Sequence, residues 1–300
     1  MKKLLILGGS GFIGNSIVNY GIEKNFVKNK IDQIYVLSRS GKFYQKKYKH
    51  IEIIYINKNI LDVKKIPQID YIIYCLKNKS IKISNDYYNQ FLKLLKNLKN
   101  KPKILFTSSG AVYGKNIDKK KVSENKKIKI DSINNLIGYK KEYAKDKLFL
   151  EKKFKELGEK KYKVSIARCF TFIGKDITRY NYAISDLIND ANNMTKINLK
   201  SSIDVFRSYM HSDDLSNWLI TILKNSNTKC PIYNVGSDRV VNLKNLTKKI
   251  AKIANKKISI RTNKSTNFDY YVPSITKGRK ELNLKISINL NDALNSIIKT

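Results

Sequence analysis

Apolar runs of a few residues alternate along the chain with stretches in which apolar residues recur every three or four positions. The first pattern suits strands buried on both faces and the second suits helices that bury one stripe. Their alternation predicts an α/β fold, a doubly wound parallel sheet covered on both faces by helices. Residues 3–7, 33–37, 52–56, 70–75, 103–107 and 163–169 read as strands. Residues 12–24, 85–98 and 139–157 read as crossover helices. Phe91, Leu94, Leu95 and Leu98 mark the apolar stripe of the second, and Leu148, Leu150, Phe154 and Leu157 that of the third. No internal repeat and no long Pro/Gly/Ser linker divides the chain. Residues 1–168 are therefore expected to form the main domain, completed by part of 203–235, with residues 169–300 forming mainly a smaller lobe. Residues 115–135, rich in Lys, Asp and Asn, read as a long, solvated surface loop.

Composition narrows the class. Of the 300 residues 42% are hydrophobic, enough for a sizeable core, which excludes a disordered tail. The longest apolar runs, such as Leu4 to Leu7 and Tyr71 to Leu76, fall far short of the roughly 20 residues that span a bilayer, so no membrane partner is expected. Met1-Lys2-Lys3 and the apolar stretch after it imitate a secretory signal, but Gly8-Gly9 breaks the run, and the expected location is cytoplasmic. Cys75, Cys169 and Cys230 form neither a CxxC pair nor an even framework, which disfavours disulfides and a structural zinc site; no metal is expected. The formal charge of +36, from 60 Lys+Arg against 24 Asp+Glu, invites a nucleic-acid reading. Only seven of those basic residues are arginine, and the 53 lysines are scattered, with the densest clusters at separate polar stretches. Solvated surface is the better account, and no specific nucleic-acid partner is expected.

Chemistry first shows in Gly8-Gly9-Ser10-Gly11-Phe12-Ile13-Gly14, placed directly after the first strand and before the first helix. Glycines at 8, 11 and 14 let the turn tighten and let a pyrophosphate approach the backbone N–H groups at the helix N-terminus. A glycine-rich turn alone is often only a turn, but strand and helix flank this one on the correct sides, which favours a dinucleotide site. Such a site reads the adenosine ribose at the end of the second strand. An acidic residue there would bind the 2′-hydroxyl of NAD. Ser38-Arg39 offers instead a hydroxyl and a guanidinium suited to a 2′-phosphate, so NADP(H) is favoured over NAD(H).

The strand Ile104 to Thr107 runs out into Ser108-Ser109-Gly110-Ala111-Val112-Tyr113-Gly114 at its C-terminal edge, where ligands sit in open α/β sheets. Downstream, Tyr143 and Lys147 are four apart and share a helix face. Spacing alone does not select them, because 19 tyrosines and 53 lysines in 300 positions give about three such pairs by chance. Two occur, and the other, Tyr20 and Lys24, precedes the serine strand on the first helix. Order and context select Tyr143.

With these residues in view the chain resembles the extended short-chain dehydrogenase/reductases, the NAD(P)-dependent nucleotide-sugar epimerases, dehydratases and ketoreductases, over nearly its whole length. The glycine loop is similar to that family's GxxGxxG, residues 108–114 to its SSxxVYG, and Tyr143 with Lys147 to its YxxxK. Arg168 to Gly174 resembles RxFNxYG, Arg207 to Leu215 resembles RDYIHVDDL, and Tyr233 to Ser237 resembles YNVGS. The resemblance implies a Rossmann-type sheet with a C-terminal substrate lobe. It implies catalytic roles for Ser109, Tyr143 and Lys147, and cofactor contacts from Gly8, Ser10, Gly11, Phe12, Ile13, Gly14, Ser38, Arg39, Asn59, Ile60, Tyr143 and Lys147. Substrate contacts are implied for Ser109, Gly110, Thr171 and Arg207. A tyrosine, with an ordinary pKa of about 10, becomes a useful acid–base group once an ammonium stabilises its phenolate. Lys147 would supply that charge, and Tyr143 would donate a proton as the nicotinamide delivers hydride.

Departures from the family pattern shape the expectation. Gly110-Ala111 stands where the 4,6-dehydratases carry an Asp-Glu pair, which disfavours dehydration. Thr171 replaces an asparagine, and Asn59 replaces an aspartate that contacts adenine. Arg207 would grip the substrate diphosphate, with a structural ion pair to Asp213 or Asp214 as its alternative. His211 reads as a packed, hydrogen-bonded residue and Trp218 as helix core. The expected function is an NADPH-dependent reductase of a keto group on a nucleotide-linked sugar, for surface polysaccharide biosynthesis. An epimerase that retains NAD(P) and a non-catalytic dinucleotide-binding protein are the alternatives, and a homodimer is left open.

Overall fold

The computed structural model describes residues 2–24, 26, 30–39, 44–78, 80–175, 177, 182–260 and 267–298. The chain divides into two compact units, residues 1–114, 128–169 and 216–233 in one and residues 115–127, 170–215 and 234–300 in the other.

The first unit is built on strands β1 (Lys2–Leu7), β2 (Ile31–Ser38), β3 (Tyr44–Lys47), β4 (Glu52–Asn57), β5 (Tyr71–Tyr74), β6 (Lys103–Ser109) and β7 (Lys163–Cys169). With Ile232–Val235 they form an eight-stranded sheet in the order Ile232–Val235, β7, β6, β5, β1, β2, β4, β3. The pairings from β4 through β2, β1, β5 and β6 to β7 are parallel, and β3 joins β4 antiparallel at the edge. The strand order reverses direction between β1 and β5. This is the switch point of a Rossmann-like sheet, where a crevice opens beyond the strand ends.

Helices α1 (Phe12–Lys24), α2 (Ile81–Lys96), α3 (Ile130–Asn134) and α4 (Tyr139–Glu159) belong to the same unit. Ser80 starts α2 by accepting the Ile83 N–H in its side chain, as an N-cap does. Phe91, Leu94 and Leu95 on α2 and Leu150, Phe154 and Leu157 on α4 are buried against Ile72, Tyr74, Ile104 and Phe106. Phe106 stacks on Phe154 with ring centroids 4.6 Å apart, and Tyr74 meets Phe91 and Phe154 edge-on. Aromatic pairs of this kind add about 0.5–1.5 kcal/mol each beyond area burial. They fasten α4 to β6, the strand that ends in Ser109. Trp218, on the helix Ser212–Lys224, is fully buried.

In the second unit a three-stranded sheet places Asp204–Arg207 between Val241–Asn242 and Phe268–Tyr271. Residues 115–127 belong here, and they are more than a solvated loop. Val122 pairs with Pro273, its N–H donates to the Val272 carbonyl at 3.0 Å, and Glu124 accepts the Asn234 N–H at 2.8 Å. Residues 130–134, also read as loop, form α3. Among the described residues no helix is long and apolar enough to cross a membrane, and no group of three or more His, Cys, Asp or Glu could hold a metal ion.

Candidate active site

The glycine loop closes against the end of β2. The N–H groups of Gly8 and Gly9 both donate to the Leu37 carbonyl, at 2.9 and 3.3 Å, and the Gly11 N–H donates back to Gly8 at 3.3 Å. Gly8 takes φ +93°, a conformation that glycine adopts without strain. A Cβ on Gly14 would lie 2.6 Å from Gly9 Cα and 2.8 Å from the Gly8 carbonyl oxygen, so α1 can approach the loop only as glycine. Gly11 differs. It is exposed, and a Cβ there would meet nothing closer than the Gly8 oxygen at 3.5 Å. Neither packing nor backbone strain requires glycine at 11, which leaves an open cradle beside the first turn of α1, where helix N–H groups lack intrahelical partners. The loop therefore fits a dinucleotide pyrophosphate. Of the other loop residues Ser10 is exposed, Ile13 is half-buried and Phe12 is buried.

Because Leu37 anchors the loop, the next two residues lie at its side. Ser38 is buried, and Arg39 is exposed with no hydrogen bond or ion pair to a described residue. The adjacent strand exits at the same rim, since Ser38 pairs with Asn57 and its carbonyl accepts the Lys58 N–H at 3.1 Å. Asn59 uses its side chain to cap the turn Ile60–Asp62, accepting the Leu61 N–H at 3.2 Å. Ile60 is 2% exposed and packs into the hydrophobic core.

Ser109 ends β6 and caps the turn Gly110–Tyr113, accepting the Ala111 N–H at 3.2 Å. Gly110 is buried in that turn. Lys147 reaches the same strand end from α4, donating to the carbonyls of Thr107 at 3.1 Å and Leu76 at 3.2 Å. Its Nζ lies 5.8 Å from the centroid of the half-buried Tyr143 ring. Ser109, Tyr143, Lys147 and the glycine loop are thus all parts of one unit, at the C-terminal ends of its parallel strands. Burial pushes the pKa of Lys147 below that of an ordinary lysine, and Lys77 adds to the shift, while Asp146, Cys75 and Cys169 oppose it. The Cys75 thiol, which donates to the Leu7 carbonyl at 3.0 Å, is pushed by burial up to about 12.

Two residues that sequence reasoning left out stand beside Tyr143. Tyr139 stacks on it with centroids 5.8 Å apart at 21°, and the Lys77 ammonium lies 5.0 Å from the Tyr139 ring centroid and 5.8 Å from that of Tyr143. The signal for Tyr139 was its i−4 spacing from Tyr143. Nothing in the local pattern around Lys77 marks it.

A family model described as the NAD dependent epimerase/dehydratase family matches residues 4–236. The chain belongs to that family. Among solved structures this family member is similar to UDP-glucose 4-epimerase from Bifidobacterium longum in complex with NAD+ and UDP, at TM-score 0.75 and 16% identity, covering 99% of this chain and 97% of that one. It is similar to dTDP-glucose 4,6-dehydratase from Bacillus anthracis in complex with NAD, at TM-score 0.73 and 16% identity, covering 99% and 96%. RMD from Pseudomonas aeruginosa, complexed with NADPH, matches at TM-score 0.72 and 18% identity, again covering 99% and 96%. At such identities the likeness shows the fold. No curated protein matches the sequence.

Thr171 and Arg207, the two remaining substrate candidates of this epimerase/dehydratase-family chain, lie in the second unit. The Thr171 hydroxyl donates to the Ser208 carbonyl. Arg207 has an acidic partner, and it is neither Asp213 nor Asp214. Its guanidinium donates to the Asp269 carboxylate at 2.7 Å and to the carbonyls of Phe206 and Asp269 at 2.8 and 3.1 Å. The parallel pairing of Arg207 with Tyr271 brings this acid alongside. Asp214 is occupied elsewhere, accepting the N–H groups of Ser287 and Ile288 at 3.0 Å. His211 accepts the Asp213 N–H at 3.2 Å, as a packed, hydrogen-bonded residue does.

Proposed function

We propose that this chain is an NADPH-dependent reductase of a keto group on a nucleotide-linked sugar, serving surface polysaccharide assembly. The observation that carries the reading is Lys147, an ammonium buried at 3% exposure with no carboxylate among its hydrogen-bond partners, aimed at the strand end that bears Ser109 and set beside the Tyr143 ring. A buried, unpaired charge is expensive unless it has work to do. Here Lys147 would hold the nicotinamide ribose and favour the phenolate of Tyr143. Tyr143 would give its proton to the sugar oxygen, and Ser109 would donate a hydrogen bond that strengthens as charge gathers there. The nicotinamide, when bound, supplies the hydride. Arg207, held in place by Asp269, would take the diphosphate. Gly110-Ala111 offers no acid or base next to Ser109 to remove water, which speaks against dehydration. Neighbours in fold are complexed with NAD, NADPH, UDP and UDP-glucose, which is consistent with a dinucleotide and a nucleotide sugar as ligands.

Arg39, at the end of the second strand and without an ion pair to a described residue, supports NADPH over NADH. NADPH should bind more tightly by roughly tenfold to a hundredfold, the equivalent of about 1.5–3 kcal/mol for hydrogen bonds to a charged group. Titrating both cofactors into wild type and Arg39→Ala, then scoring a panel of nucleotide-linked keto sugars by loss of NADPH absorbance, tests cofactor and substrate class together. Equal affinities for the two cofactors would overturn the cofactor assignment. Interconversion of sugar epimers without net oxidation of NADPH would replace the reductase with an epimerase.

The lowered pKa of Lys147 gives a further expectation. Its charged form is lost at lower pH than the roughly 10.4 of a free lysine, so NADPH affinity should fall as pH rises, with its midpoint below that value. NADPH fluorescence titrations across alkaline pH, with Lys147→Ala as the reference without this limb, check the sign. An affinity flat up to the ordinary lysine pKa would remove Lys147 from the cofactor site.

A further inference from the structure

Behind the strand end that carries Ser109 lies a buried polar cluster. Glu151 accepts two hydrogen bonds from Arg168, from Nε at 2.9 Å and from a terminal nitrogen at 2.7 Å, and a third from the Ser108 hydroxyl at 2.6 Å. The other terminal nitrogen of Arg168 donates to the Tyr113 hydroxyl at 2.9 Å. Exposure is 1% for Glu151, 2% for Ser108 and 3% for Arg168 and Tyr113, so water substitutes for none of these bonds. Ser108 and Arg168 are direct partners in the β6–β7 register. Glu151 is on α4, four residues after Lys147 and eight after Tyr143, and the three share one helix face. Tyr113 ends the turn that Ser109 opens.

We propose that Glu151, Arg168, Tyr113 and Ser108 form a positioning brace that sets Ser109 in register with the Tyr143–Lys147 face of α4. What this register serves rests on the functional reading above. The segment that bears Ser109 is tied to one carboxylate on the helix that bears the other two residues, directly at Ser108 and through Arg168 at Tyr113. Strength is a poor explanation for the cluster, because a buried ion pair costs desolvation that a well-packed apolar replacement would avoid. Geometry explains it better. If α4 slid by one residue along β6, or the turn after Ser109 loosened, Glu151 or Arg168 would be left charged, buried and short of partners. Only one register satisfies the whole network. Fixing distances between reacting groups is where such constraint affects rate, since displacements of about 1 Å can cost a hundredfold in turnover. The four are positioning residues, not groups that touch substrate.

Tyr113→Phe and Ser108→Ala each remove one hydroxyl and leave the ion pair, so both variants are expected to fold. Each should lower kcat by roughly tenfold to a hundredfold, with KM and NADPH affinity near wild type. In both, amide hydrogen exchange read by mass spectrometry should quicken over residues 109–114. Arg168→Lys keeps the charge but loses the planar set of donors, so it too should lower kcat and quicken exchange over 109–114. Wild-type exchange over 109–114 in Tyr113→Phe and Ser108→Ala would overturn the proposal, and so would an unchanged kcat or full activity in Arg168→Lys. Exchange needs neither substrate nor turnover. If wild type reduces no keto sugar, the functional reading fails by itself and exchange still decides whether the brace exists.

Discussion

Tyr143→Phe is expected to leave the fold and NADPH affinity intact while lowering turnover by the 10²–10⁴-fold typical of a lost general acid–base group. The substitution deletes one hydroxyl and keeps the ring. That ring stacks on Tyr139 and has two ammonium groups, Lys77 and Lys147, each 5.8 Å from its centroid. Lys147→Ala should weaken NADPH binding and turnover together, because the same ammonium would hold the ribose and tune the phenol. Ser109→Ala should chiefly lower kcat, since its hydrogen bond matters most when charge has developed on the sugar oxygen. Steady-state rates with a keto-sugar substrate, paired with NADPH titrations, separate these three patterns. If Tyr143→Phe retained wild-type turnover and Tyr139→Phe abolished it, the proton donor would be Tyr139 and the assignment here would be wrong.

The parts of this fold that show in the sequence are those in which local pattern and tertiary role coincide. A helix read over residues 12–24 is observed as Phe12–Lys24, because a glycine turn starts it and its apolar spacing is regular. The central strands show because burial on both faces leaves nearly continuous apolar runs. The edge strand Tyr44–Lys47 does not, since an edge needs little apolar surface and its sequence, Tyr-Gln-Lys-Lys, reads as polar loop. Residues 115–127 misled in the same way. Their lysines are exposed, but Val122 and Glu124 make bonds to residues more than a hundred positions away, which leave no periodic trace. Arg207 found its acid 62 residues downstream, through a strand pairing that no local motif encodes. Glu151 is the sharpest instance. Among Leu150, Lys152 and Lys153 it looks like one more charge on a solvated helix, yet it is among the most buried polar residues of the chain.

Gly11 and Gly14, three residues apart in the loop, should respond to alanine in opposite ways. At Gly14 the added methyl would press on two backbone atoms at 2.6 and 2.8 Å, neither of which can rotate aside, so the helix must shift away from the loop. Overpacking of this kind costs about 1–3 kcal/mol, and Gly14→Ala should lower Tm as well as NADPH affinity. At Gly11 the nearest atom is 3.5 Å away and the backbone is unstrained. There alanine restricts the unfolded chain, a gain of about 0.4–1 kcal/mol at compatible positions, so Gly11→Ala should keep or raise Tm. The methyl would instead fill the cradle that a pyrophosphate needs, and NADPH affinity should fall by roughly tenfold or more, the scale of losing one or two hydrogen bonds to a charged group. Thermal melts and NADPH titrations of both variants check the pair. Wild-type NADPH affinity in Gly11→Ala would move the phosphate site off this loop, because no packing demand among the described residues accounts for glycine at that position.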